Sequence, residues 1–169
     1  HQHGPQQQFG NYGLSFICNM SFYSELFTGT TLAFSQEQQR ILTSLLLEGY
    51  QWIIWRGYWD VNALNRQLFR NADIDKGFSL LFAAHSLMKS SEPEVADQIK
   101  KMILRNSSFS QVPNSFTGNK HFRESDYTVH RTPTWLASVR MASERVIGTE
   151  LVNEDNLKGY YMADGALYT

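Results

Sequence analysis

Cysteine occurs once in the 169 residues, at Cys18, which excludes a disulfide framework within the chain and a cysteine zinc cluster. No apolar run reaches the roughly eighteen residues of a membrane-spanning helix, and no membrane partner is expected. Neither sign of charge dominates: 15 Lys and Arg face 16 Asp and Glu, for a formal net charge of −1. Proteins that hold nucleic acid by neutralising phosphate are usually strongly basic, so no nucleic-acid partner is expected either. Charged residues of both signs are sparse, 18% against about 25% in a typical soluble domain. Familiar catalytic signatures are also missing. There is no Gly-x-Ser-x-Gly elbow, no Gly-x-x-x-x-Gly-Lys phosphate loop and no His-Glu-x-x-His. His1 and His3 lack a third ligand nearby in sequence, and no metal is assigned to them. The opening His1-Gln2-His3-Gly4-Pro5 is polar and carries no Met, and the expectation is an excised piece of something longer.

Aromatic residues are plentiful instead, with four Trp, eight Tyr and eleven Phe, enough for a core and for a sugar-stacking surface. Apolar residues from Phe9 to Phe27 recur every three to four positions and predict a first helix, with Gly29 beyond its end. Ser35 and Gln38 form a capping-box pattern that predicts a second helix from Ser35 to about Trp55, ended by Gly57. Residues 56–72 lack a helical period and read as an ordered loop. A third helix is expected over about Asp75–Ser90, with Phe78, Leu81, Phe82, His85 and Met88 on one face. A fourth starts at Pro93, well placed at a first helical position, and ends near Arg105. Beyond a Ser-, Asn-, Pro- and Gly-punctuated stretch the pattern turns strand-like at 127–131, 135–141, 146–150 and 160–162, with a turn at 163–166. The expected fold class is therefore α+β, helical hairpins over 1–108 followed by an unfinished sheet over 109–169.

Three clusters carry polar chemistry. The first runs from His3 through Gly10 to Tyr12 and Gly13, a Gly-punctuated approach to a helix that is otherwise a plain surface loop. The second holds Arg56, Trp59, Asp60, Asn62, Arg66 and Arg70. Arginine forks grip carboxylate or sulfate and flat rings stack on sugars, although the same residues would also build a structural Arg–Asp network. Trp59 and Asn62 are substrate-binding candidates on the first of these readings. The third is Glu150 to Asn156, which read alone is a turn between strands. Together they suit a long anionic carbohydrate better than an ester or a nucleotide, because no conventional nucleophile is present.

These residues resemble polysaccharide lyase family 8, and within it the chondroitin AC lyases most closely. His3-Gly4-Pro5-Gln6 with Tyr12-Gly13 is similar to the family's catalytic His-to-Tyr stretch. Arg56-Gly57, Asp60-x-Asn62, Arg66 and Arg70 resemble its arginine loop. His130-Arg131-x-Pro133, Ser138-Val139-Arg140-Met141 and Ser143-x-Arg145 look like the start of its central β domain, and Glu150, Asn153 and Asp164-Gly165 match further positions. A Gly precedes the arginine matching Arg66 in the chondroitin AC lyases and a Pro follows the one matching Arg70; here Asn65 and Asn71 stand there.

The resemblance implies the end of an incomplete α/α toroid followed by the first strands of an antiparallel β-sandwich. It also implies eliminative cleavage of a uronate polysaccharide such as chondroitin sulfate or hyaluronan. His3, with an Asn upstream of this chain, would neutralise the uronate carboxylate, so that charge developing at C5 delocalises. Tyr12 would take the C5 proton and return one to the leaving oxygen. Arg66 would favour the phenolate, and Glu150 would orient Arg66 by pairing with it. Arg70 and Asn153 would contact sugar or sulfate. No cofactor is needed. The implied partners are an anionic polysaccharide and the remainder of the parent chain, and a polymeric substrate implies a secreted or periplasmic protein. A non-catalytic carbohydrate-binding segment of a degenerate lyase is the alternative, and a helical scaffold without ligand a third reading.

Overall fold

A computed structural model describes residues 5–107, 114–150, 152, 154 and 157–168. A π-helical turn, Phe9–Gly13, leads into α1, Leu14–Phe27. Ser35 caps α2, Gln36–Ser44: its hydroxyl accepts from the Gln38 amide at 3.3 Å while the Gln38 side chain accepts from the Ser35 amide at 2.9 Å. The capping box therefore forms as its sequence pattern dictates. α2 continues through a π turn, Leu45–Gly49, and a 3₁₀ turn, Tyr50–Trp52.

There the structure departs from the expected helix. Ile54–Trp55 is a strand, β1, paired antiparallel with β2, Tyr58–Trp59. Arg56 and Gly57 both have positive φ, 51° and 86°, the geometry of a two-residue hairpin turn. Gly57 is thus half of a turn and not a helix stop.

α3, Ala72–Lys89, and α4, Pro93–Asn106, follow, with Pro93 at the start of α4 as expected. Of the apolar face read on α3, Leu81 and Met88 pack against the core and the rest does not. Phe78 and Phe82 are 73% and 65% exposed and His85 is exposed. The buried stripe is instead Lys76, Gly77, Leu80, Ala83, Ala84 and Leu87. Small residues win this face because they let backbones approach. A Cβ on Gly77 would lie 1.8 Å from the Gly57 carbonyl oxygen. Gly77→Ala must therefore push α3 off the hairpin, with a loss at or beyond the roughly 1–3 kcal/mol typical of overpacking. Thermal unfolding checks this, and an unchanged melting temperature would contradict the packing described.

Four strands form one antiparallel sheet in the order β3-β4-β5-β6: Gly118–Phe122, Tyr127–Arg131, Leu136–Met141 and Asp164–Tyr168. β4 and β5 occupy the expected segments. β3 went unrecognised because Gly118-Asn119-Lys120-His121-Phe122 holds no β-branched residue. Residues 146–150 form no strand among the described residues and contribute one bridge, Ser143 to Val146. Gly159–Tyr161 is a 3₁₀ turn where a strand was expected, and the strand Asp164–Tyr168 takes in most of the expected turn at 163–166. Residues 108–113, which include the expected domain boundary, lie outside the described residues.

Helices and sheet share one core. Tyr127, Val129 and Leu136 join Ile53, Ile54, Trp59 and Leu64 in a single apolar cluster. Buried polar groups cross the same seam. Arg131 donates to the carbonyls of Gln51, Trp52 and Ile54 at 2.7, 3.1 and 2.8 Å. Its guanidinium lies over the rings of Trp55 and Phe116. The Tyr127 hydroxyl donates to Asp60, whose carboxyl is pushed up by burial. Arg140 donates to the carbonyls of Asn62 and Gly148. The sheet thereby holds the turn at residues 60–62 from which the loop to Arg66 departs.

Candidate active site

Tyr12 rides on the π turn. That turn closes through the Gly13 amide, which donates to the Gln8 carbonyl at 2.9 Å, five residues back. Single π turns inside helices recur at functional sites. Two contacts hold this one in place. Gly10 sits so close to the arginine loop that a Cβ would lie 2.6 Å from the Ala63 oxygen and 2.7 Å from the Leu64 Cα. Phe9 packs edge-on to Tyr50 and to Phe122 of β3, with ring centroids 4.9 and 5.5 Å apart.

Beside Tyr12 lies a buried ion pair. Arg66 Nε is 3.3 Å from Glu150 Oε1, with only 7% and 3% of the two side chains exposed. The Tyr12 ring is 41% exposed, and its centroid is 5.9 Å from the Arg66 guanidinium carbon. An open phenol therefore sits against a cation that is itself screened from water, where its field is felt most strongly.

Asn65, next to Arg66, is fully buried with φ 61°. Asn tolerates that left-handed conformation better than most residues do, and Gly, its counterpart in the resembling sequences, adopts it freely. Lys76 of α3 was not anticipated. Its ammonium donates to the Gly10 carbonyl and, at 2.6 Å, to Gln67 Oε1, tying the Tyr12 turn to the arginine loop. Burial draws its pKa below the usual lysine value. Its signal was the buried α3 stripe, in which it precedes Leu80, Ala83 and Leu87 at helical spacing.

Of the residues singled out in the sequence, Tyr12, Arg66 and Glu150 come together. Trp59 does not present a sugar-stacking face: it is 2% exposed and packs on Tyr50 inside the core. Asn62 is 1% exposed and donates through Nδ2 to the Ser138 carbonyl and hydroxyl at 3.2 and 2.9 Å, a strut between helices and sheet. Both were drawn into the core by the seam they help to form. Arg70 is exposed on the loop before α3. His3 and Asn153 lie outside the described residues. No group of three metal-holding side chains occurs among the described residues.

Residues 117–169, which span the sheet, match the polysaccharide lyase family 8 super-sandwich domain. Over nearly its full length the chain is also similar to known lyases. The chain resembles polysaccharide lyase family 8. A chondroitinase AC from Pedobacter heparinus is 31% identical over 168 residues, covering 98% of this chain and 23% of that protein. A hyaluronate lyase from Thermasporomyces composti is 24% identical over 198 residues, covering 99% of this chain and 25% of that protein. A chondroitinase AC lyase solved with oligosaccharides superposes with a TM-score of 0.80 at 26% identity, over 98% of this chain and 24% of that one. The chain thus spans about a quarter of the length of these relatives.

Proposed function

We propose that this chain is part of a lyase that cleaves uronate-containing glycosaminoglycans, chondroitin sulfate or hyaluronan, by β-elimination. The observation that supports it most is the exposed Tyr12 ring against the buried Arg66–Glu150 pair. In this reading the uronate sits over Tyr12 with its C5 proton toward the phenolic oxygen. The fixed charge of Arg66 stabilises the phenolate that takes the proton. Glu150 holds Arg66 at Nε, so the cation stays beneath the ring and is not drawn to the substrate carboxylate. The electron pair left at C5 expels the glycosidic oxygen from C4, forming the C4–C5 double bond, and the protonated tyrosine returns the proton to the leaving group. His3 and Asn153 keep the roles that the family resemblance implies, carboxylate neutralisation and sugar contact, and Arg70 supplies an exposed cation for carboxylate or sulfate. A polymeric substrate is the ground for reading the parent protein as secreted or periplasmic.

The test is release of unsaturated, ultraviolet-absorbing oligosaccharides from chondroitin or hyaluronan by the full-length protein. Binding without such products would favour a carbohydrate-binding segment instead.

A further inference from the structure

Tyr12, Arg66 and Glu150 come from three stretches far apart in sequence, and among the described residues no strand pairing links them. One buried side chain touches all three stretches. Asn65 Nδ2 donates to the Gln7 carbonyl at 2.6 Å and to Gln6 Oε1 at 3.3 Å, on the segment that runs into the Tyr12 turn. Its Oδ1 accepts from the Thr149 hydroxyl, adjacent to Glu150. Gln6 Oε1 also accepts from the Glu150 amide at 3.1 Å. Asn65 itself immediately precedes Arg66.

We propose that Asn65 is a positioning residue for the elimination, holding the Tyr12 turn, Arg66 and Glu150 in one register through its amide. The inference rests on the lyase reading above. The contacts made at this position in this chain call for an amide, where the resembling chondroitin AC lyases hold a glycine. It must donate twice and accept once, which a carboxylate cannot do and an aliphatic side chain cannot begin to do. It must also tolerate a left-handed backbone. Asn65 touches no substrate in this scheme; its effect passes through Arg66 and its neighbours. Misplacing a catalytic group by about 1 Å can cost on the order of 100-fold in rate.

The experiment is steady-state cleavage of chondroitin by the full-length protein and by Asn65→Gly, Thr149→Val, Thr149→Ser and the Asn65→Gly/Thr149→Val double variant. Glycine adopts φ 61° freely, so Asn65→Gly removes the amide without straining the backbone. For Asn65→Gly the expected result is a kcat lower by about 10- to 100-fold with KM within about twofold. Thr149→Val lowers kcat less, and Thr149→Ser restores the wild-type value because the hydroxyl is kept. The double variant is no slower than Asn65→Gly, since both remove the same bond. Should Asn65→Gly fail to fold, Thr149→Val against Thr149→Ser decides the matter. Unchanged kcat in folded Asn65→Gly overturns the inference, as does a loss confined to KM, or Thr149→Ser as slow as Thr149→Val. Wild-type protein that yields no unsaturated product overturns the lyase reading itself, a different result from an active wild type with unaffected variants.

Discussion

Tyr12→Phe lowers turnover of chondroitin or hyaluronan by the full-length protein by roughly 10²–10⁴-fold, the usual contribution of a positioned acid–base group. KM changes little. The phenyl ring still occupies the π turn beside Arg66, and only the oxygen that takes and returns the proton is gone. Stability is expected to hold as well, because the ring is 41% exposed and already meets solvent. Absorbance of the unsaturated product gives the rate, and thermal unfolding gives the stability control. Turnover by Tyr12→Phe near the wild-type rate would remove tyrosine from the mechanism. The residues around Tyr12 would then be a binding surface.

Arg131→Ala is the second large effect, on stability and not on chemistry. The guanidinium is 1% exposed and serves three carbonyls at the end of the 3₁₀ turn and the start of the hairpin. Burial draws its pKa down to about 10, so the fold holds this charge against a desolvation cost. Truncation leaves three buried acceptors without a donor, each costing roughly 1–3 kcal/mol before water or relaxation offsets part of it. A net loss of about 3–5 kcal/mol follows, the range for breaking a buried polar network. At roughly 2–4 °C per kcal/mol for a unit of this size, the melting temperature falls on the order of 10 °C. Arg131→Lys recovers only part of this, since an ammonium lacks the flat guanidinium that lies over the Trp55 and Phe116 rings. Hydrogen exchange should rise at the Asp60 amide, which donates to the Ile53 carbonyl across the hairpin at 2.8 Å. A melting temperature within a degree or two of wild type would mean that the seam does not depend on Arg131.

The two variants probe different parts of one arrangement. Arg131, Arg140 and Tyr127 reach from the sheet to the 51–62 stretch of the helical part. The loop to Arg66 departs from that stretch, and Glu150 returns to meet it 84 residues later in the chain. A sheet that packs independently of the helices would leave Glu150 nowhere defined relative to Tyr12. The shared core therefore serves the site as much as it serves stability.

Local physics was legible in the order of residues. The Ser35–Gln38 capping box, Pro93 opening a helix and the alternating β4 and β5 each depend on neighbours a few positions away, and each formed. The spacing of His3, Tyr12, Arg66 and Glu150 also carried the family resemblance, since motif order survives without knowledge of packing. Only the tertiary structure decided which surface each element buries. α3 carries apolar residues on two faces, and the choice fell to Gly77, Ala83 and Ala84 because close backbone approach needs small side chains. Tyr50 to Trp59 could extend a helix by composition, but became a hairpin that buries Trp59 and leaves Asn62 to brace Ser138. The meeting of Arg66 with Glu150 and the amide of Asn65 that joins three segments are long-range contacts. No periodicity encodes such contacts, because they exist only once the sheet has closed against the helices.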